Sequence, residues 1–126
     1  MSHSVGVDMV EIERIECAIQ RWGRRFLART YTPRELARYG EKLPELAARF
    51  AGKEAISKAL GTGMIGISWR EMEILSDGRG KPQVTLHGRA KERAEELGLE
   101  AFSISLSHTD NLAVAFVMAS GPDRKL

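Results

Sequence analysis

Apolar positions recur with two different periods along this chain, and the change between them falls near its middle. Val5, Gly6 and Val7 begin a short strand that ends near Asp8, after which Ile12, Ile15 and Ile19 return at helical spacing. Asp8 is therefore expected near a strand end that leads into a helix. In Tyr31-Thr32-Pro33-Arg34-Glu35 the signals for another helix coincide: Thr32 as cap, Pro33 in the first turn and Glu35 as the third helical residue of a capping box. This helix should be short and stop around Gly40. A longer one follows from Pro44 to Leu60, with Leu46, Phe50, Ile56 and Leu60 marking a broad buried side and Gly61 providing the stop.

Beyond residue 68 the period shortens to two. Met72 and Ile74 alternate with Glu71 and Glu73, Asp77-Gly78-Arg79-Gly80 forms a turn, and a brief strand from Gln83 to Leu86 completes a hairpin. Ala90, Ala94 and Leu97 then mark one side of a helix that stops at Gly98, with His87 at its start or on the surface. Phe102, Ile104 and Leu106 alternate with Ser103, Ser105 and Ser107, whereas Leu112 to Ala119 is apolar at every position. Such a strand calls for cover on both faces, by helices, another sheet or a second copy. The order predicts an α+β protein, a single compact domain over residues 1–126 with a mainly antiparallel sheet packed by helices.

Composition narrows this reading. With 126 residues, 43% of them apolar, the chain can bury one modest core but not two. Order is expected throughout except at Met1 to His3 and Gly121 to Leu126. The longest apolar run is eight residues, too short to cross a bilayer, and the first residues lack the features of a secretion signal, so an intracellular, cytoplasmic protein without membrane insertion is expected. Cys17 alone excludes an internal disulfide and should pack one side of a helix. The net charge of +2 is small but uneven: residues 11–60 carry eleven basic and seven acidic side chains, which suggests an anionic ligand or partner near that half.

Chemistry concentrates in Arg49-Phe50-Ala51-Gly52-Lys53-Glu54-Ala55-Ile56-Ser57-Lys58, where charged groups interrupt a segment the flanking pattern buries. Glu54 and Lys58 are four positions apart on one helix side, either as a stabilising pair or as a metal ligand beside a phosphate contact. Asp8 could cap the next helix; paired with Glu54 it offers hard oxygen ligands suited to Mg²⁺. Gly61-Thr62-Gly63 lacks P-loop spacing, and no Gly-x-Gly-x-x-Gly element points to a dinucleotide fold. Ser107 and His108 are adjacent in a strand and so point to opposite sides, which argues against a serine hydrolase. His108 and Thr109 at a strand exit suit either structural hydrogen bonding or phosphate binding. Arg14, Arg21, Arg24, Arg25 and Arg29 are interleaved with Trp22 and Phe26, compatible with a solvated face, an acidic protein partner or RNA, although no nucleic-acid module is visible.

Taken together, Gly6-Val7-Asp8-Met9-Val10-Glu11, Arg49 through Gly63, Gly80-Lys81-Pro82 and Ser105-Leu106-Ser107-His108-Thr109 resemble the holo-[acyl-carrier-protein] synthases of the phosphopantetheinyl transferase superfamily, over essentially the whole chain. The resemblance implies that fold, and transfer of 4'-phosphopantetheine from coenzyme A to a serine of apo acyl carrier protein, with no nucleic-acid partner. It implies Mg²⁺ on Asp8 and Glu54, a phosphate contact from Lys58, and Arg49, Lys53, Gly61, Thr62, Gly63, His108 and Thr109 around coenzyme A. Arg14, Arg21 and Arg24 would receive the carrier, and a homotrimer would place active sites between subunits. A Mg²⁺-dependent phosphohydrolase or nuclease, and an Arg-rich RNA-binding or scaffold protein, are the competing readings.

Overall fold

The alternation in the second half of the chain builds two antiparallel sheets rather than one. In the computed structural model, which describes residues 1–123, the order is β1 (Ser2–Glu11), α1 (Ile12–Trp22), α2 (Arg24–Thr30), α3 (Pro33–Tyr39), α4 (Leu43–Ala59), β2 (Met72–Ser76), β3 (Pro82–Leu86), α5 (Gly88–Glu96), β4 (Ala101–His108) and β5 (Leu112–Gly121). The larger sheet has the order β1-β5-β4 and the smaller pairs β2 with β3. The fold is thus α+β, as the periodicity predicts. Two expected ends differ: Ser2 and His3 pair with Gly121 and Ser120, so β1 starts earlier and β5 runs further than their apolar cores suggest. The rest of the polar tail that was expected to lack order falls partly outside the described residues.

Helix α4 is the centre of the molecule. Small side chains at Ala47, Ala48, Ala51, Ala55 and Ala59 are buried along it and let both sheets approach closely. Gly6 shows how closely β1 comes: a Cβ there would run into the Ala55 carbonyl, so only glycine fits. From β5, Ala113, Ala115, Val117 and Ala119 face the helix and are fully buried.

The opposite face of the same sheet is bare. Val5, Val7 and Met9 of β1 and Leu112, Phe116 and Met118 of β5 are exposed, with Val7 at 54% and Phe116 at 48%. Cross-strand register puts Val5 opposite Met118 and Val7 opposite Phe116, so the residues form one patch. The expected double cover of β5 is therefore only half supplied within one chain.

Several local expectations change. The basic helical region is broken at Gly23, whose φ of 54° closes α1 while its N–H donates to the Ile19 carbonyl. Cys17 is exposed rather than packed. Trp69–Glu71 forms a 3-10 turn capped by Ser68, so the strand pattern expected beyond residue 68 begins only at Met72. Glu73 is buried despite its alternation with apolar neighbours, because the Thr32 hydroxyl donates to its Oε2 at 2.6 Å.

Candidate active site

Asp8 lies on the helix-facing side of β1, two residues beyond the Gly6 contact, and so stands against the second half of α4. The Lys58 ammonium donates to Asp8 Oδ1 and to the Val7 carbonyl, both at 3.0 Å. Burial raises the pKa of Glu54 above its ordinary 4.5, and the Asp8 charge adds to the rise; Lys58 and then Arg14 oppose it. Such mutual influence puts two carboxylates, a lysine and an arginine within one electrostatic neighbourhood, although Asp8 and Glu54 are 46 positions apart in the sequence. Among the described residues no group of three or more His, Cys, Asp or Glu is arranged to hold a metal. The donor set instead suits a hard cation that keeps waters and shares substrate phosphate oxygens. Lys58 supplies one positive charge at Asp8 Oδ1.

Gly61, Thr62 and Gly63 leave the end of α4 as an open loop, with Gly61 and Gly63 at φ of 76° and 56°. The amides of Thr62 and Gly63 both donate to the Ser57 carbonyl, at 3.3 and 3.2 Å, which ties the loop to the helix turn that carries Lys58. Arg93 of α5 adds a second tie that the sequence did not single out: its Nε donates to the Leu60 carbonyl at 3.1 Å.

Arg49 and Lys53 do not join this site. Both point to the other side of α4 and are buried. The Arg49 guanidinium stacks over the Tyr39 ring at 3.6 Å and donates to the Ile74 carbonyl and the Ser76 hydroxyl, each at 3.0 Å. Lys53 donates to Glu35 Oε1 at 2.8 Å and to the carbonyls of Trp69 and Met72 at 3.1 and 2.6 Å. These donors are engaged in the core, and neither side chain reaches the Asp8 neighbourhood within one copy. Glu35, legible only as a capping-box residue, has a buried role with no local signature.

His108 and Thr109 are also remote from Asp8 in this chain. Register aligns Asp8 with Ala115 and Ala115 with Leu106, so β4 lies two strands away, roughly 10 Å by ordinary strand spacing. Thr109 Oγ1 accepts from the amides of Asn111 and Leu112 and shapes the turn into β5. A site containing Asp8, Glu54, His108 and Thr109 together is not assembled by one copy.

Arg14 and Arg21, seven positions apart on α1, line one shallow groove with Cys17 and Trp22, and Glu11 and Glu13 close its other end. Trp22 is half exposed beneath the Arg21 guanidinium at 5.0 Å, so it belongs to this surface rather than to the core. Phe26 instead packs edge-on against Tyr31. Arg24 opens α2 just past the Gly23 break, outside that groove.

Residues 4–117 match the description of the 4'-phosphopantetheinyl transferase superfamily. The chain belongs to that superfamily and, within it, to the holo-[acyl-carrier-protein] synthase family. The holo-[acyl-carrier-protein] synthase of Herpetosiphon aurantiacus is 48% identical over 123 residues, covering 92% of this chain and 97% of that one. The Helicobacter pylori holo-[acyl-carrier-protein] synthase, solved in complex with coenzyme A, superposes with a TM-score of 0.84 at 34% identity, covering 92% of this chain and 99% of that one. The Plasmodium yoelii acyl carrier protein synthase, solved with ADP bound, gives 0.87 at 30% identity, covering 98% and 100%.

Proposed function

We propose that this protein moves the 4'-phosphopantetheine group from coenzyme A to a serine of apo acyl carrier protein and releases adenosine 3',5'-bisphosphate. The observation that carries the reading is the Asp8–Glu54–Lys58 neighbourhood within a chain of this family. Asp8 and Glu54 would hold Mg²⁺, which when bound supplies positive charge to a pyrophosphate and to the phosphate that departs. Lys58, half exposed, is placed to release Asp8 and meet phosphate oxygens. The carrier serine oxygen attacks the phosphorus bearing the pantetheine arm, the bond to the bridging oxygen breaks, and the leaving group keeps both electrons. Glu54, whose pKa is raised by burial, can take the serine proton directly or through a water. No internal nucleophile is required, because the partner brings its own.

Arg14 links the docking surface to the chemistry: it lies in the α1 groove and its charge acts on Glu54. An acidic carrier helix laid along α1 would present its serine beside that carboxylate. The bare sheet face supports a homotrimer in which another copy brings His108 and Thr109 to the Asp8 edge, with the Gly61–Gly63 loop completing the coenzyme A site. Among the described residues no helix is long and apolar enough to cross a membrane.

Intact-mass analysis of apo carrier mixed with coenzyme A and Mg²⁺ tests this reading directly. The wild type should add phosphopantetheine to the carrier, and Asp8→Ala or Glu54→Ala should each slow the addition at least about 100-fold while remaining folded. Full transfer by both folded variants would defeat the ligand assignment, and hydrolysis of coenzyme A without a change in carrier mass would favour a phosphohydrolase. Arg14→Glu with Arg21→Glu should weaken carrier binding about tenfold or more and leave coenzyme A binding within twofold, as measured by titration calorimetry.

A further inference from the structure

Helix α4 carries two sets of charged groups on different sides, and only one of them takes part in the proposed chemistry. The second comprises buried Arg49, bonded to Ile74 and Ser76, and, one turn along, Lys53 paired with Glu35. Both side chains of the Lys53–Glu35 pair are 0% exposed and every polar atom is engaged. Glu35 Oε1 accepts from Lys53 at 2.8 Å and from the Thr32 amide at 2.9 Å, while Oε2 accepts from the Ile74 amide at 2.8 Å. Lys53 reaches the carbonyls of Trp69 and Met72 as well. The pair therefore fastens α3, α4 and β2 at one point through short, directional bonds.

We infer that the Lys53–Glu35 pair is a positioning device that fixes the rotation of α4 about its own axis and so aims Glu54 at Asp8. Lys53 and Glu54 are consecutive, about 100° apart around the helix, so a turn of the helix that freed Lys53 would swing Glu54 by the same angle. Most of the apolar lining of α4 is alanine, with Leu46 and Ile56 the large buried exceptions, so directional polar bonds carry much of the resistance to rotation. Three donors on fixed acceptors do lock it. A buried ion pair adds little net stability over a packed apolar pair, but it specifies one arrangement.

This inference rests on Glu54 being the cation ligand proposed above, so its test separates the two. The full chain is compared as wild type, Glu35→Gln, and Glu35→Leu with Lys53→Met; the double variant removes one charge of each sign and leaves the net charge unchanged. Folding is followed by near-ultraviolet circular dichroism, cation binding by electron paramagnetic resonance of Mn²⁺ with coenzyme A present, and transfer by intact mass. The double variant leaves the Thr32 and Ile74 amides and the Trp69 and Met72 carbonyls without these partners, so it should fold with a lower melting temperature, bind Mn²⁺ about tenfold more weakly and show a kcat about tenfold lower, with KM for the carrier within twofold. Glu35→Gln should shift Mn²⁺ binding in the same direction by a smaller factor. Wild-type Mn²⁺ affinity and kcat in either folded variant would overturn the inference. Failure of both variants to fold would overturn it too, since the pair would then hold the whole fold rather than aim one side chain. A wild type that neither binds Mn²⁺ nor modifies the carrier would instead sink the functional reading.

Discussion

In the proposed site, Glu54 sits where stability and function would oppose each other. Burial and the Asp8 charge raise its pKa above the ordinary 4.5, so between that value and the raised one the folded state holds more proton than the unfolded chain. Stability contributed by this group is therefore present at low pH and lost as pH rises through that interval. Without a divalent cation, Glu54→Gln should raise the melting temperature at about pH 7 relative to wild type, and the difference should close as pH falls below 4.5, where both forms are neutral. Thermal melts at the two pH values check this, and an unchanged or lower melting temperature at neutral pH would contradict it. On the proposed ligand assignment, protons and Mg²⁺ would compete for the same oxygens, so half-saturating Mg²⁺ for transfer should also rise as pH is lowered toward the carboxylate range. Asp8, Glu54 and Lys58 were legible as candidates because charged types stand out in a segment whose neighbours demand burial. Arg49 and Lys53 stand out equally, and only packing reveals that they face inward. Spacing along a helix gives the angle between two side chains, not which angle faces the core.

At the scale of elements, α4 and β1 form the joint on which the site depends. Gly6 rests against the Ala55 carbonyl, and Asp8 follows two positions later on the same side of the strand. Gly6→Ala must push β1 away from α4, and should cost about 1–3 kcal/mol in chemical denaturation while lowering transfer by more than the loss of folded protein explains. A variant with wild-type stability and activity would show that the joint yields freely. The capping box at Thr32, the long helix and the alternating strands were readable because each is written in neighbouring residues. The division into two sheets was not. Which strands pair depends on contacts between distant segments, and nothing within Pro82–Leu86 or Ala101–His108 states that β3 and β4 stay unpaired.

For the molecule as a whole, the unpartnered apolar face of the β1-β5-β4 sheet is the feature that exceeds what one chain needs. Monomeric proteins seldom leave so continuous a patch uncovered. Replacing Val7 and Phe116 by Lys and Asp should leave the helix-facing core intact, since both side chains point away from α4, and should convert the assembly to monomers in sedimentation velocity. The same change should remove transfer if His108 and Thr109 must come from another copy. A monomeric double variant with full activity would place the complete site in one chain. The continuous apolar run of β5 announced the need for cover, but a sequence cannot say whether a helix or a sibling provides it.

If copies meet through that bare face, as proposed above, output would depend on dosage in an uneven way. Where catalysis exists only after copies meet, halving the amount of protein in a cell lowers working sites by more than half near the association threshold. Activity per chain should accordingly fall on dilution, and a truncated or poisoned sibling that still docks would silence healthy partners as well as itself.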